Sequence, residues 1–232
     1  MAEQAWFAKG TRFKEVMAGE AMEEFRRVCP DKIYERGAYL FHQGERATQL
    51  HVIASGQVKL VVPTAAGHER VISVVGPEDM IGEAFVLDEP RYRVDAIAIT
   101  PVQTCPMNHE QFTRLALHSP EFVLRFATIL ATSLIGCREV LSHTFDPVKV
   151  RIAKVLLDQA ERFGESDGGS GRVVSLTTGL RHDEIASMAS ATRVSASMAI
   201  AQLREIGLVE GSRGRYRIDV DGLAEYVEES PF

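Results

Sequence analysis

The sequence predicts an α+β chain in three parts: an N-terminal β-roll of the jelly-roll kind, one long helix, and a C-terminal helical hairpin with a two-stranded wing. Three observations predict it. Short apolar runs broken by glycine fill the stretch from Asp31 to about Asn108. A sustained helical pattern follows Pro120. After Asp146-Pro147 the pattern changes to short amphipathic segments and a basic turn. These changes of regime divide the chain at 1–118, 119–145 and 146–232.

The bulk properties fit this division. The chain has 232 residues, 45% of them hydrophobic and 25% charged, which is ordinary for a globular protein of one large or two small domains. A net charge of −6 argues against non-specific coating of nucleic acid, but leaves room for a local basic face. Cys29, Cys105 and Cys137 are odd in number and lack metal-type spacing. They predict neither a disulfide framework nor a metal site, and a cytoplasmic location. The first residues show no leader pattern, and no apolar run looks long enough to cross a bilayer, so no membrane partner is expected.

Residues 1–30 have a helical pattern of apolar positions, with Phe13, Val16, Met17, Met22, Phe25 and Val28 three or four apart. Strands then follow at Gln49–Ile53, Gln57–Val62 and Arg70–Val75, with breaks at Gly37, Gly44, Gly56, Gly67, Gly76 and Gly82. His109 to Ala116 reads as a short helix, and Ser119-Pro120-Glu121 as the start of a long one. In the long helix Val123, Ala127, Leu130, Leu134, Cys137 and Leu141 alternate at spacings of four and three, which is a dimerisation seam. Phe122, Phe126, Ile129 and Val140 form a second stripe for the chain's own sheet. Asp146 is placed to cap the next helix, Val148 to Phe163, with Pro147 in its first position. Gly164 to Gly171 reads as a polar loop and Val173 to Leu176 as a strand.

The segment Arg181 to Leu208 has the form of a helix-turn-helix. Its first helix runs from about Asp183 to Met188, and Thr192 or Val194 opens the second. Val194, Met198, Ala199, Leu203 and Ile206 are available for packing, and Arg193, Ser195, Ala196 and Ser197 lie at the exposed N-terminal end. In such a motif that end enters the DNA major groove. Arg193 is suited to a guanine edge, and Thr192 and Ser195 to phosphates near the helix start. Leu208 to Ile218 then reads as two strands and a basic turn, a wing from which Arg213 or Arg215 can reach a phosphate.

Three stretches resemble the CRP/FNR family, the cyclic-AMP receptor protein group of bacterial regulators. They are Tyr39–Glu45 with Leu50–Val58, Gly76–Glu83, and Asp183 through Leu203. The resemblance covers nearly the whole chain, from about Phe25 to Val220. It implies a cyclic-nucleotide-binding-type roll, a winged helix-turn-helix, a homodimer joined along the long helix, a two-fold symmetric double-stranded DNA site, and contact with RNA polymerase as an activator. It makes cyclic AMP the candidate effector. Gly82 and Ala84 would offer backbone to its phosphate and Glu83 would hold a ribose hydroxyl. Counting forward from Gly82 makes Arg93 the phosphate arginine; counting back from Ala98 puts Tyr92 there, between Arg91 and Arg93. Cys137 and Arg138 stand where cyclic-AMP binders carry threonine and serine. Val194 and Met198 replace a glutamate and an arginine of the usual recognition helix, so a different DNA site is expected.

Other functions fit less well. An effector-independent regulator with a purely structural roll is one alternative. A nucleotide-binding module without a DNA role is another, but it would need neither helix-turn-helix nor wing. A metal-dependent roll enzyme would need clustered ligands, whereas His42, His51 and His68 are scattered. Ser, His and Asp residues occur in no nucleophile-elbow context, and no enzyme is expected.

Overall fold

The computed structural model describes residues 27, 30–64, 69–166, 168, 172–177, 179–212 and 214–230. The helix expected over 1–30 lies almost wholly outside these. The chain divides into two compact units, one ending at Leu134 and the other starting at Ile135.

The N-terminal unit holds eight described strands: β1 (Lys32–Tyr34), β2 (Tyr39–Phe41), β3 (Gln49–Ser55), β4 (Val58–Pro63), β5 (Glu69–Val75), β6 (Met80–Ile81), β7 (Asp95–Ala98) and β8 (Val102–Asn108). They form two four-stranded antiparallel sheets, ordered β1-β8-β3-β6 and β2-β7-β4-β5. The glycine breaks fall between strands as expected. Gly56 turns β3 into β4 at φ 85°, and a Cβ there would lie 2.2 Å from the Pro101 carbonyl oxygen, so only glycine fits.

Leu50, Ile53, Val58, Ile81, Ala96 and Met107 fill the roll's core. Helix α1 (His109–His118) closes it, started by a capping box in which Asn108 and Gln111 exchange two 2.9 Å hydrogen bonds. Helix α2 (Pro120–Ser142) follows, with the Ser119 Oγ accepting the Phe122 amide N–H. Phe122 and Phe126 are buried and pack edge-on against Phe112. This is the stripe assigned to the chain's own sheet. The other stripe stays open: Val123, Leu134 and Leu141 are exposed and Leu130 half-buried.

Two expectations need correction here. Counted to Phe145, this helix is long and apolar enough by length and composition to cross a membrane. Its apolar stretch is not continuous, since Arg125 and Arg138 interrupt it. Cys105 is disulfide-bonded, while Cys137 is free. Local spacing carries no information about cysteines that meet through the fold.

In the C-terminal unit a 3₁₀ turn (His143–Phe145) leads to α3 (Val148–Phe163). Asp146 does not cap α3 as expected; Pro147 stands at the cap position. The Asp146 carboxylate instead accepts from the buried Lys154 ammonium at 2.6 Å, with His143 Nδ1 3.0 Å away. The expected loop at 164–171 contains β9 (Glu165–Ser166), which pairs with β10 (Val173–Thr177). Helices α4 (His182–Met188) and α5 (Arg193–Glu205) come next. Strands β11 (Val209–Ser212) and β12 (Arg215–Asp219) complete an antiparallel sheet ordered β11-β12-β10-β9. Helix α6 (Val220–Glu229) ends the described chain, capped by Asp219.

Candidate nucleic-acid interface and effector cassette

Local chemistry fixes the start of α5. Ser190 takes a left-handed step at φ 49° in the turn after α4. Thr192 then caps α5, its Oγ1 accepting the Ser195 amide N–H at 3.1 Å, with the two hydroxyls 2.9 Å apart. These two side chains are thus committed to the cap.

The inward face of α5 is Ala196, Ala199, Ile200 and Leu203, all fully or nearly buried. That spacing of three and four is one helical stripe, and its alanines let α5 lie close to α3 and α4. The outward face is Arg193, Val194, Ser197, Met198 and Ala201, which together line one shallow concavity. This reverses part of the sequence reading. Ala196, expected at the reading surface, is core. Val194 and Met198, expected to pack, are 70% and 61% exposed, and Ile206 is 51% exposed. The phase slipped because 194/198 and 196/200 are equally periodic pairs, and only the neighbouring helices decide between them.

Ser197 is held from behind. His182 opens α4, and its Nδ1 lies 3.0 Å from Ser197 Oγ while its Nε2 lies 3.0 Å from the Tyr216 hydroxyl on β12. Burial, then the Arg204 and Arg193 guanidiniums, lower the His182 pKa, so the imidazole is neutral at pH 7. A neutral ring can donate through one nitrogen and accept through the other, which matches two hydroxyl partners. Burial also raises the pKa of Tyr216 and keeps its hydroxyl protonated. His182 thereby ties the wing to the middle of α5. No local pattern announces this bridge, since the three residues are far apart in the chain.

In the wing, Arg215 and Arg217 point outward while Tyr216 and Ile218 point inward. Arg217 reaches Glu210 across the hairpin at 3.5 Å. Arg215 is exposed, as a phosphate contact requires; Arg213 lies outside the described residues. Arg151 on α3 was also missed from sequence. It donates to the carbonyls of Asp146, Thr144, Ala189 and Ser190, linking the start of the domain to the helix-turn-helix turn.

The roll cassette is arranged differently from what a phosphate site needs. Gly82 adopts φ 87°, and a Cβ there would meet the Gln49 carbonyl oxygen at 2.8 Å and the Tyr92 ring at 3.1 Å. Glu83, exposed, and Ala84, buried, begin a 3₁₀ turn after it. Tyr92 fills the space beside them. It stacks on Phe41 at 3.9 Å and donates to the Gln49 carbonyl at 2.9 Å. Burial raises its pKa and keeps the phenol neutral. Arg91 turns away to the Gly44 carbonyl at 2.9 Å, and Arg93 is exposed. The inward position between the two arginines thus holds an aromatic ring and no positive charge, a poor fit to a cyclic phosphate. Cys137 and Arg138 are exposed on the part of α2 that belongs to the C-terminal unit.

A β-roll, a long helix and a winged helix-turn-helix on one chain define a DNA-binding transcription regulator. Comparison with known proteins agrees. Residues 31–119 match the cyclic nucleotide-binding domain and residues 150–226 the Crp-like helix-turn-helix domain. A CRP-like cAMP-activated global transcriptional regulator of Mycobacterium tuberculosis is 32% identical over 177 residues, covering 76% of this chain and 78% of its own length. The cyclic AMP receptor protein of Thermus thermophilus is 26% identical over 220 residues, covering 94% of this chain and 97% of its own. A CooA variant from Carboxydothermus hydrogenoformans shares the fold at a TM-score of 0.72 and 19% identity, over 96% of this chain and 99% of its own. The chain belongs to the CRP/FNR family, whose members are regulators and not enzymes.

Proposed function

We propose that this regulator is a homodimer that reads a two-fold symmetric double-stranded DNA site through α5, with Arg193 as the main base contact. One observation carries the reading: the uncovered face of α5 places Arg193 in its first turn, beside an open concavity, in a winged domain. The N-terminal end of such a helix is where side chains meet base edges. Arg215, and Arg213 beside it in sequence, supply phosphate contacts from the wing. The exposed seam of α2 supports the dimer, which sets two α5 helices about one helical turn apart on DNA, ~34 Å. The 164–171 segment is proposed to contact RNA polymerase in activation. A cytoplasmic location follows from the DNA target, and no membrane role is proposed for α2.

The two relatives named above are a cAMP-activated regulator and a cyclic AMP receptor protein. For this chain we propose that the roll holds cyclic AMP weakly or not at all, because Tyr92 occupies the inward position of the cassette. Fluorescence anisotropy on genomic fragments, with and without cyclic AMP, tests both parts. Selective binding of some fragments, unchanged by the nucleotide, is expected. Equal binding of all fragments would overturn the DNA reading. Sub-micromolar affinity for cyclic AMP in titration calorimetry would overturn the reading of the roll.

A further inference from the structure

Val194 and Met198 are the large apolar side chains exposed on α5, and they sit beside Arg193 and Ser197 in its first two turns. No packing role within their own unit accounts for them, since the inward stripe is complete without them. We infer that they select the C5-methyl groups of thymine in the major groove, in the same half-site where Arg193 meets a guanine edge. This rests on the DNA reading proposed above.

The chemistry commits the surface to this occupant. In the major groove the thymine methyl is the apolar group that sets one base apart from the rest; the other distinguishing groups are hydrogen-bond donors and acceptors. Neither an isopropyl group nor a thioether chain can satisfy the amino group of cytosine or adenine, so a polar edge placed against them would lose its water without compensation. Ala201 leaves room at the far end of the concavity. The flexible Met198 side chain can adapt to a methyl at either of two neighbouring positions. Arg193 on the same face and Arg215 in the wing make the surroundings cationic, which suits a DNA groove better than a second apolar protein face.

The test needs a bound duplex, so one is first selected from a random pool with the full-length protein. Each thymine is then replaced singly by deoxyuridine, which removes only the methyl group, and affinity is measured by anisotropy. One or two thymines per half-site are expected to show roughly fourfold weaker binding, the worth of one buried methyl group. The penalty should vanish at one position in Val194→Ala and at another in Met198→Ala. Both residues are exposed, so thermal melting of the variants should match the wild type and confirm that they fold. Where cytosine is placed at a sensitive position, 5-methylcytosine should bind better than cytosine. If the selected duplex tolerates uracil everywhere, methyl reading is wrong while the DNA reading stands. If selection enriches no sequence, both are wrong.

Discussion

Two arginines are expected to fail in different ways. Arg193→Ala should cost about 1–3 kcal/mol on the selected site and relax preference at one base pair per half-site. Arg215→Ala should weaken all sequences alike and reduce the slope of affinity against salt. Equal losses on specific and random DNA in Arg193→Ala would make that residue a phosphate contact. A third side chain, His51, acts on stability. It is buried among Tyr34 and Phe41 with its Nδ1 3.4 Å from the Thr104 hydroxyl, and burial, then Lys32, lowers its pKa from 6.5 to about 4. Between those values the unfolded chain takes up a proton that the fold refuses. Stability is therefore complete above pH 6.5 and falls as the pH drops toward 4, by about 3 kcal/mol. Urea midpoints over this range should show the slope, and His51→Gln should flatten it.

The link between α2 and α3 shows what local pattern can and cannot reveal. The helices themselves were legible: the expected starts at His109 and Pro120 are the observed ones, and the third helix begins one residue later than expected, at Val148. Each is announced by a residue adjacent in the chain, such as Asn108 or Ser119. The role of Asp146 was not legible, because its partner Lys154 lies eight residues on and is brought back by the turn. Removing that partner with Lys154→Met should cost about 3 kcal/mol by leaving a buried carboxylate short of positive charge. His143 remains beside it and keeps the cost at the low end. Adding Asp146→Asn should restore much of the loss, and chemical denaturation of the single and double variants measures both. The phase of α5 failed for a related reason. Its two candidate stripes differ only in which one α3 and α4 cover.

For the protein as an assembled regulator, the open face of α2 carries the main expectation. Leu130→Asp with Leu134→Asp should give monomers that bind DNA poorly, and analytical ultracentrifugation decides it. A wild type already monomeric at micromolar concentration would remove the dimer from the proposal. Fold and family were legible because the glycine-punctuated strands, the long helix and the helix-turn-helix occur in a fixed order. The cassette was only half legible. Sequence left Arg91, Tyr92 and Arg93 as rivals for one position; the irregular segment ahead of β7 buries Tyr92 and leaves the arginine on either side exposed, which no local pattern announces.

The bridge from Tyr216 through His182 to Ser197 bears on how such a protein can be retargeted. A substitution at Ser197 also disturbs a wing strand and the opening of α4. Positions 194, 198 and 201 line the same concavity with apolar side chains that make no hydrogen bond to that bridge, whereas Arg193 acts on His182 through its charge. Drift of the operator over generations, or a laboratory library seeking new operators, should therefore proceed first through those three apolar positions while Ser197 stays put. A family of descendants would keep the same grip and change what it reads.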